Sequence, residues 1–181
     1  AEQQSAGRGR RGRQWVSPYA GNIYLSLAWN FESGAAALEG LSLAVGVAVQ
    51  RALSELEFKG IRLKWPNDLL CGDSKLGGIL IEMVGSATGP CSAVVGIGIN
   101  VNMPPSAATG IDQSWIDLRA MSSSALVRRN EVLAAMLNHL LPLLANYEEL
   151  GFSDWREAWQ KLNAHAGQAV IVSSGNRKMS G

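Results

Sequence analysis

Histidine and cysteine are scarce in this chain, two of each in 181 residues, and their scarcity closes off several kinds of protein. Cys71 and Cys91 form no C-x-x-C pair and have only His139 and His165 as imidazole partners, so neither a zinc site nor a disulfide scaffold is expected, and two ordinary thiols in a reducing cytoplasm are. Apolar runs are broken well short of the ~20 residues a membrane span needs. Charge of one sign is also lacking: the total is +1, of which residues 1–13 carry +3 and everything after them −2. A broad basic face of the kind that tracks a nucleic-acid duplex is therefore not expected. Hydrophobic content of 47% with moderate charge indicates a globular core.

What is present is concentrated. Gly7-Arg8-Gly9-Arg10-Arg11-Gly12-Arg13 places four cations and three glycines in seven residues. Glycine lets backbone N–H groups approach a ligand, and arginine supplies planar, permanently charged donors, so the stretch reads as a loop built to wrap an anion. Gly7, Gly9 and Gly12 match the dinucleotide fingerprint, but Ser17-Pro18 and Gly21 follow where a helix is required. Gly7 and Gly12 have P-loop spacing, but Arg13-Gln14 stands in place of Lys-Ser/Thr. A kinase glycine loop is excluded because no H-R-D or D-F-G follows. A solvated basic tail or a nucleic-acid module using Arg8, Arg10, Arg11 and Arg13 on phosphates is the alternative reading.

Along the chain, Ile23, Leu25, Leu27 and Trp29 alternate as in a half-buried strand, and Leu38 to Leu56 carry an apolar helical stripe in a helix expected over 35–56, with Gly40 and Gly46 permitting close approach to a sheet. Short strands are expected at 61–65, 69–71 and 75–84, separated by Pro66-Asn67-Asp68 and the turn Gly72-Asp73-Ser74. In 93–100, Val95, Ile97 and Ile99 share one face, while Gly96, Gly98 and Asn100 line the other; a glycine-lined face admits a ligand, another backbone or a bulge. A further short strand is expected at 114–118. A helix capped by Asn130 should run to Leu150 on a stripe of Leu133, Met136, Leu137, Leu140, Leu141, Leu144 and Tyr147, kinked or broken at Pro142, with His139 an ordinary surface residue. Trp155 and Trp159 should bury one side of a last helix, and 168–181 reads as a hairpin turning at Ser173-Ser174-Gly175-Asn176. The order amounts to an α+β fold, a mixed or antiparallel sheet covered by helices.

Three segments belong together: the arginine-glycine loop, Lys64-Trp65-Pro66-Asn67-Asp68 followed by Lys75-Leu76-Gly77-Gly78, and Gly96-Ile97-Gly98-Ile99-Asn100. Their order and wording resemble the catalytic domain of biotin protein ligases, from Ala1 to at least Leu162. The resemblance implies a class II synthetase-like fold shared with lipoyl ligases, occupying 1–163, with 164–181 the start of a small β-barrel domain. It implies a two-step ATP-dependent reaction: biotin is activated as biotinyl-5′-AMP, then passed to a lysine of the biotin carboxyl carrier protein of acetyl-CoA carboxylase. By the same resemblance Gln4, Gly7 and Arg8 surround the biotin ureido ring, Arg10 holds carboxylate and phosphate, Arg13 contacts a nucleotide phosphate and Trp15 stacks on adenine. Lys75 touches the biotin carbonyl and α-phosphate, Gly78 lies close to the ligand, and Asn67, Asp68 and Asn100 lie near the nucleotide, with Mg2+ carried by the nucleotide beside Asp68. From its flanks alone Lys75 reads as a surface lysine after a turn. Family members carry a Ser-Thr-Asn segment upstream of the loop that is not in this sequence, so the chain is expected to be part of a longer protein. The family admits a homodimer, and a DNA partner where an N-terminal helix-turn-helix is present. A lipoate or octanoate ligase is the neighbouring alternative.

Overall fold

The computed structural model describes residues 1–122, 126–174 and 177–180. Five strands form one antiparallel sheet: β1 (Asn22–Phe31), β2 (Ile61–Lys64), β3 (Asp68–Cys71), β4 (Ser74–Gly85) and β5 (Cys91–Asn100), in the order β1-β5-β4-β3-β2. Alternation decides the layering. In β5, Ala93, Val95, Ile97 and Ile99 are buried on one face, where α1 (Leu41–Glu55), α3 (Arg129–Leu150) and α4 (Ser153–Leu162) cover the sheet. The helices add Leu41, Val45, Val49 and Leu53 from α1 and Met136, Leu140, Leu144 and Tyr147 from α3, so the hydrophobic core lies between the two layers. The opposite face of the sheet stays open.

The amphipathic stripe of α1 is present, but the helix begins at Leu41 rather than at residue 35. Ala35–Leu38 form a 3-10 turn, and Gly40 takes a left-handed φ of 82°, where a Cβ would stand 2.6 Å from the Phe152 ring. Within the helix, a Cβ at Gly46 would lie 3.4 Å from the Leu63 methyls of β2, the close approach to the sheet expected of it. The 114–118 segment is not a strand. Trp115 makes one bridge to Lys75, and Asp117 instead caps a one-turn helix, α2 (Leu118–Met121), accepting from the Ala120 amide at 2.8 Å and the Met103 amide at 3.0 Å.

The long helix starts one residue before its expected cap: Arg128 occupies the N-cap position, without a side-chain cap bond, and Asn130 lies inside. It also runs unbroken through Pro142. The ring is on the solvent side, with neighbouring Leu141 exposed rather than in the stripe, so water can satisfy the Asn138 carbonyl that loses its donor. His139 is not a partnerless surface residue; its Nε2 lies 2.8 Å from the Glu55 carboxylate of α1. Trp155 and Trp159 are half-buried against the core, with the Arg51 guanidinium 5.1 Å above the Trp155 ring. Strands β6 (Ile171–Ser174) and β7 (Arg177–Ser180) pair as a separate antiparallel hairpin; the Gly175-Asn176 turn expected there lies outside the described residues. Among the described residues no helix is long and apolar enough to cross a membrane.

Candidate active site

The open sheet face is organised by register. Tyr24, Gly98, Gly78 and Asp68 stand opposite one another across β1, β5, β4 and β3; the next row holds Ser26, Gly96 and Leu80, and the row beyond it Ala28, Val94 and Glu82. The glycines make a floor, and the indole of Trp15 lies on it. A Cβ at Gly98 would stand 2.6 Å from Trp15 Cζ2, and one at Gly78 3.5 Å from Cζ3. The glycine-lined strand thus accommodates a side chain delivered by the arginine loop itself. The Trp15 N–H is buried there and has no hydrogen-bond partner among the described residues.

The loop is a strap closed at its base. The Trp15 amide donates to the Gly7 carbonyl at 2.9 Å, and the Gly9 amide to the Arg13 carbonyl at 2.7 Å. Arg11 (φ 57°) and Gly12 (φ 74°) turn its tip through left-handed backbone. Side chains then tie it down: Arg8 to the Glu82 carboxylate at 2.6 Å, Arg10 to Asn67 Oδ1 at 3.5 Å, and Arg11 to the Ser173 carbonyl at 3.4 Å.

Between strap and floor is a cavity of about 340 Å³. Of the residues singled out in the sequence, Gln4, Arg8, Arg10, Arg13, Trp15, Asn67, Asp68, Lys75, Gly78 and Asn100 line it. Gly7 does not; it sits behind the strap, where a Cβ would meet the Trp15 carbonyl at 2.6 Å, so its smallness serves the strap's closure rather than the cavity wall. Lys75 is not a free surface lysine: its Nζ pairs with Asp68 Oδ1 at 2.8 Å, with 14% and 18% of the two side chains exposed, and lies 5.7 Å from the Trp15 ring centroid. Asn67 supports both neighbours, donating from Nδ2 to the Ile79 carbonyl at 2.7 Å while accepting from Arg10. Asn100 spends its amide N–H groups on the backbone carbonyls of Lys75 (3.3 Å) and Ile116 (3.1 Å), which fixes the start of β4 against the segment carrying Trp115.

The sequence reading missed Trp115, Leu80 and Glu82, all of which line the cavity. Trp115 could have been found from its placement in a polar, aspartate-containing segment; the other two fall on strand alternation and carry no separate signal. The described residues contain no cluster of three or more His, Cys, Asp or Glu able to hold a metal ion. A magnesium ion commonly binds through one or two carboxylates together with substrate phosphates, and Asp68 is a carboxylate suited to that mode.

The comparisons agree with this geometry. The profile of the biotin/lipoate A/B protein ligase family matches residues 1–102. The bifunctional ligase/repressor BirA of Escherichia coli is 38% identical over the whole chain, and the chain spans 56% of that protein's length. The biotin–[acetyl-CoA-carboxylase] ligase of Paracoccus denitrificans is 34% identical, with all of this chain and 76% of that protein covered. Among solved structures, the biotin protein ligase of Aquifex aeolicus in complex with biotin and ATP superposes with a TM-score of 0.81 at 31% identity, over 99% of this chain and 73% of that one. The antiparallel sheet with its helical layer is the catalytic-domain fold of biotin protein ligases. The chain belongs to the biotin/lipoate A/B protein ligase family.

Proposed function

We propose that the protein carrying this chain is a biotin–protein ligase that makes biotinyl-5′-AMP and passes the acyl group to a lysine of a biotin carboxyl carrier protein, that of acetyl-CoA carboxylase. The observation that carries this reading is the placement of Lys75 and Arg10 on one cavity, beneath a cationic strap, in a chain similar to a ligase whose structure holds biotin and ATP.

In the first step the biotin carboxylate attacks the α-phosphorus of ATP, forming the mixed anhydride and releasing pyrophosphate. Two anions must meet, so fixed cations and positioning supply most of the acceleration. Lys75 is held by Asp68 where a point charge stabilises the α-phosphate of the transferring adenylyl group, and Arg10, braced by Asn67, covers it from the strap. Arg13 faces the polyphosphate, and Gln4, Arg8 and Gly78 border the acyl end. Trp15 and Trp115 are the indoles on the cavity that offer aromatic surface to the adenine. Magnesium would arrive with the triphosphate, and Asp68 would hold it. In the second step the carrier lysine amine attacks the acyl carbon and AMP leaves, retained until then by the strap. The hairpin at Ile171–Ser180 supports reading 164–181 as the beginning of a second unit, following a catalytic domain over 1–163. A cytoplasmic enzyme fits this chemistry.

The nucleic-acid reading is less well supported, because Arg8, Arg10 and Arg11 are engaged within the chain by Glu82, Asn67 and Ser173. Biotin-dependent exchange of labelled pyrophosphate into ATP by the full-length protein tests the proposal. Exchange with lipoate or octanoate in place of biotin would move the protein to the lipoyl-ligase branch.

A further inference from the structure

We propose that Glu82 is a positioning residue that latches the arginine strap over the cavity through Arg8. A carboxylate on the wall of a site for anions is unfavourable unless its charge is spent on a cation, and Glu82 spends it on the strap, 2.6 Å from Arg8. The strap's other side-chain ties are weaker: Arg10 reaches Asn67 at 3.5 Å and Arg11 reaches a backbone carbonyl at 3.4 Å, both at the limit of hydrogen-bond geometry. Glu82 follows Gly78 by four residues on the same face of β4, about 13 Å along the strand at ~3.3 Å per residue. Asp68, paired with Lys75, stands in the Gly78 row, and Glu82 holds the strap at the far end. On the cavity the strap is thus held at two points, by Glu82 through Arg8 and by Asn67 through Arg10.

An exposed ion pair contributes little to global stability, so the latch acts on strap opening, by about two- to fivefold. Trypsin reads that opening directly, since the strap carries its own cleavage sites after Arg11 and Arg13. In ligand-free protein, Glu82→Gln and Glu82→Ala should be nicked there about two- to fivefold faster than wild type with an unchanged melting temperature. The exchanged pair Arg8→Glu/Glu82→Arg should return the rate toward wild type. Equal rates in wild type and Glu82→Ala, or an exchanged pair nicked as fast as Glu82→Ala, would overturn the latch. The effect on ligand rests on the ligase reading and is measured separately, as release of biotinyl-5′-AMP, which should quicken in Glu82→Ala by a similar factor. Unchanged or slower release beside faster nicking would overturn the positioning role. Failure of the wild type to bind biotinyl-5′-AMP would overturn the ligase reading instead, and the latch would then be judged by the ligand-free rates.

Discussion

Lys75 and Asp68 form the most enclosed ion pair on the cavity, 2.8 Å apart with less than a fifth of either side chain exposed. Each holds the other in place, and removing one strands the other's charge. Lys75→Met should therefore cost stability as well as activity, about 1–3 kcal/mol in thermal or urea unfolding, because a mostly buried carboxylate loses its partner. Asp68→Asn should cost less stability and should lower adenylate formation by freeing the ammonium to wander. Unfolding curves of both variants superimposable on wild type would show that the pair is not formed in solution.

Gly98 and Trp15 make the second prediction. A methyl at position 98 meets the indole at 2.6 Å, so Gly98→Ala should displace Trp15 and with it the base of the strap. The expected cost is about 1–3 kcal/mol, the scale of overpacking, with ligand affinity falling alongside. Shrinking the opposing side chain in Gly98→Ala/Trp15→Leu should recover part of the stability. A double-mutant cycle with no coupling would contradict the contact.

Arg10 lines the cavity and is bonded to Asn67. Arg10→Gly should still form the adenylate but release it, raising indiscriminate labelling of surface lysines on bystander proteins. The measurement is streptavidin detection of biotin on an added non-carrier protein. Labelling no higher than wild type would remove Arg10 from the retaining role.

Tyr147 gives a prediction about pH. Its hydroxyl is buried and donates to the Glu39 carbonyl at 2.8 Å, and burial pushes its pKa well above the ordinary phenol value of about 10. The folded state therefore holds the phenol proton more tightly than the unfolded state. Its contribution is complete below about pH 10 and is lost as the pH rises beyond that, because unfolding then releases a proton. Tyr147→Phe should lower stability at neutral pH by about 0.5–1.5 kcal/mol and flatten the alkaline limb of the stability curve. An alkaline limb identical in both proteins would contradict this.

The two periodicities made most of the architecture readable. Alternation in Ile23–Trp29 and Val95–Asn100, and the stripe from Leu41 to Leu53, are burial patterns written locally, and burial against a single core is what the fold satisfies. What sequence did not disclose depended on distant partners. The α1 start is set by Phe152 pressing on Gly40, the fate of 114–118 by Lys75 and Met103, and the His139 environment by Glu55. Pro142 was tolerated because it faces water, a property of the helix's rotation that its own residues leave ambiguous. The candidate site divides in the same way. The arginine strap and Lys75 announce themselves by composition and family wording, whereas Glu82 and Leu80 look like any strand residues until β4 is laid beside β5. At Gly7 the need for a glycine is likewise set at a distance, by the Trp15 carbonyl 2.6 Å from where a Cβ would stand.

In the proposed reaction this cavity joins a biotin carboxylate to the α-phosphate of ATP with Lys75 beside the forming bond. Pyrophosphate exchange measured on full-length wild type and Lys75→Ala, each with and without biotin, tests it most directly. Exchange should require biotin and fall at least about a hundredfold in the variant, the scale of losing a fixed transition-state charge. Exchange independent of biotin, or undiminished in Lys75→Ala, would contradict it.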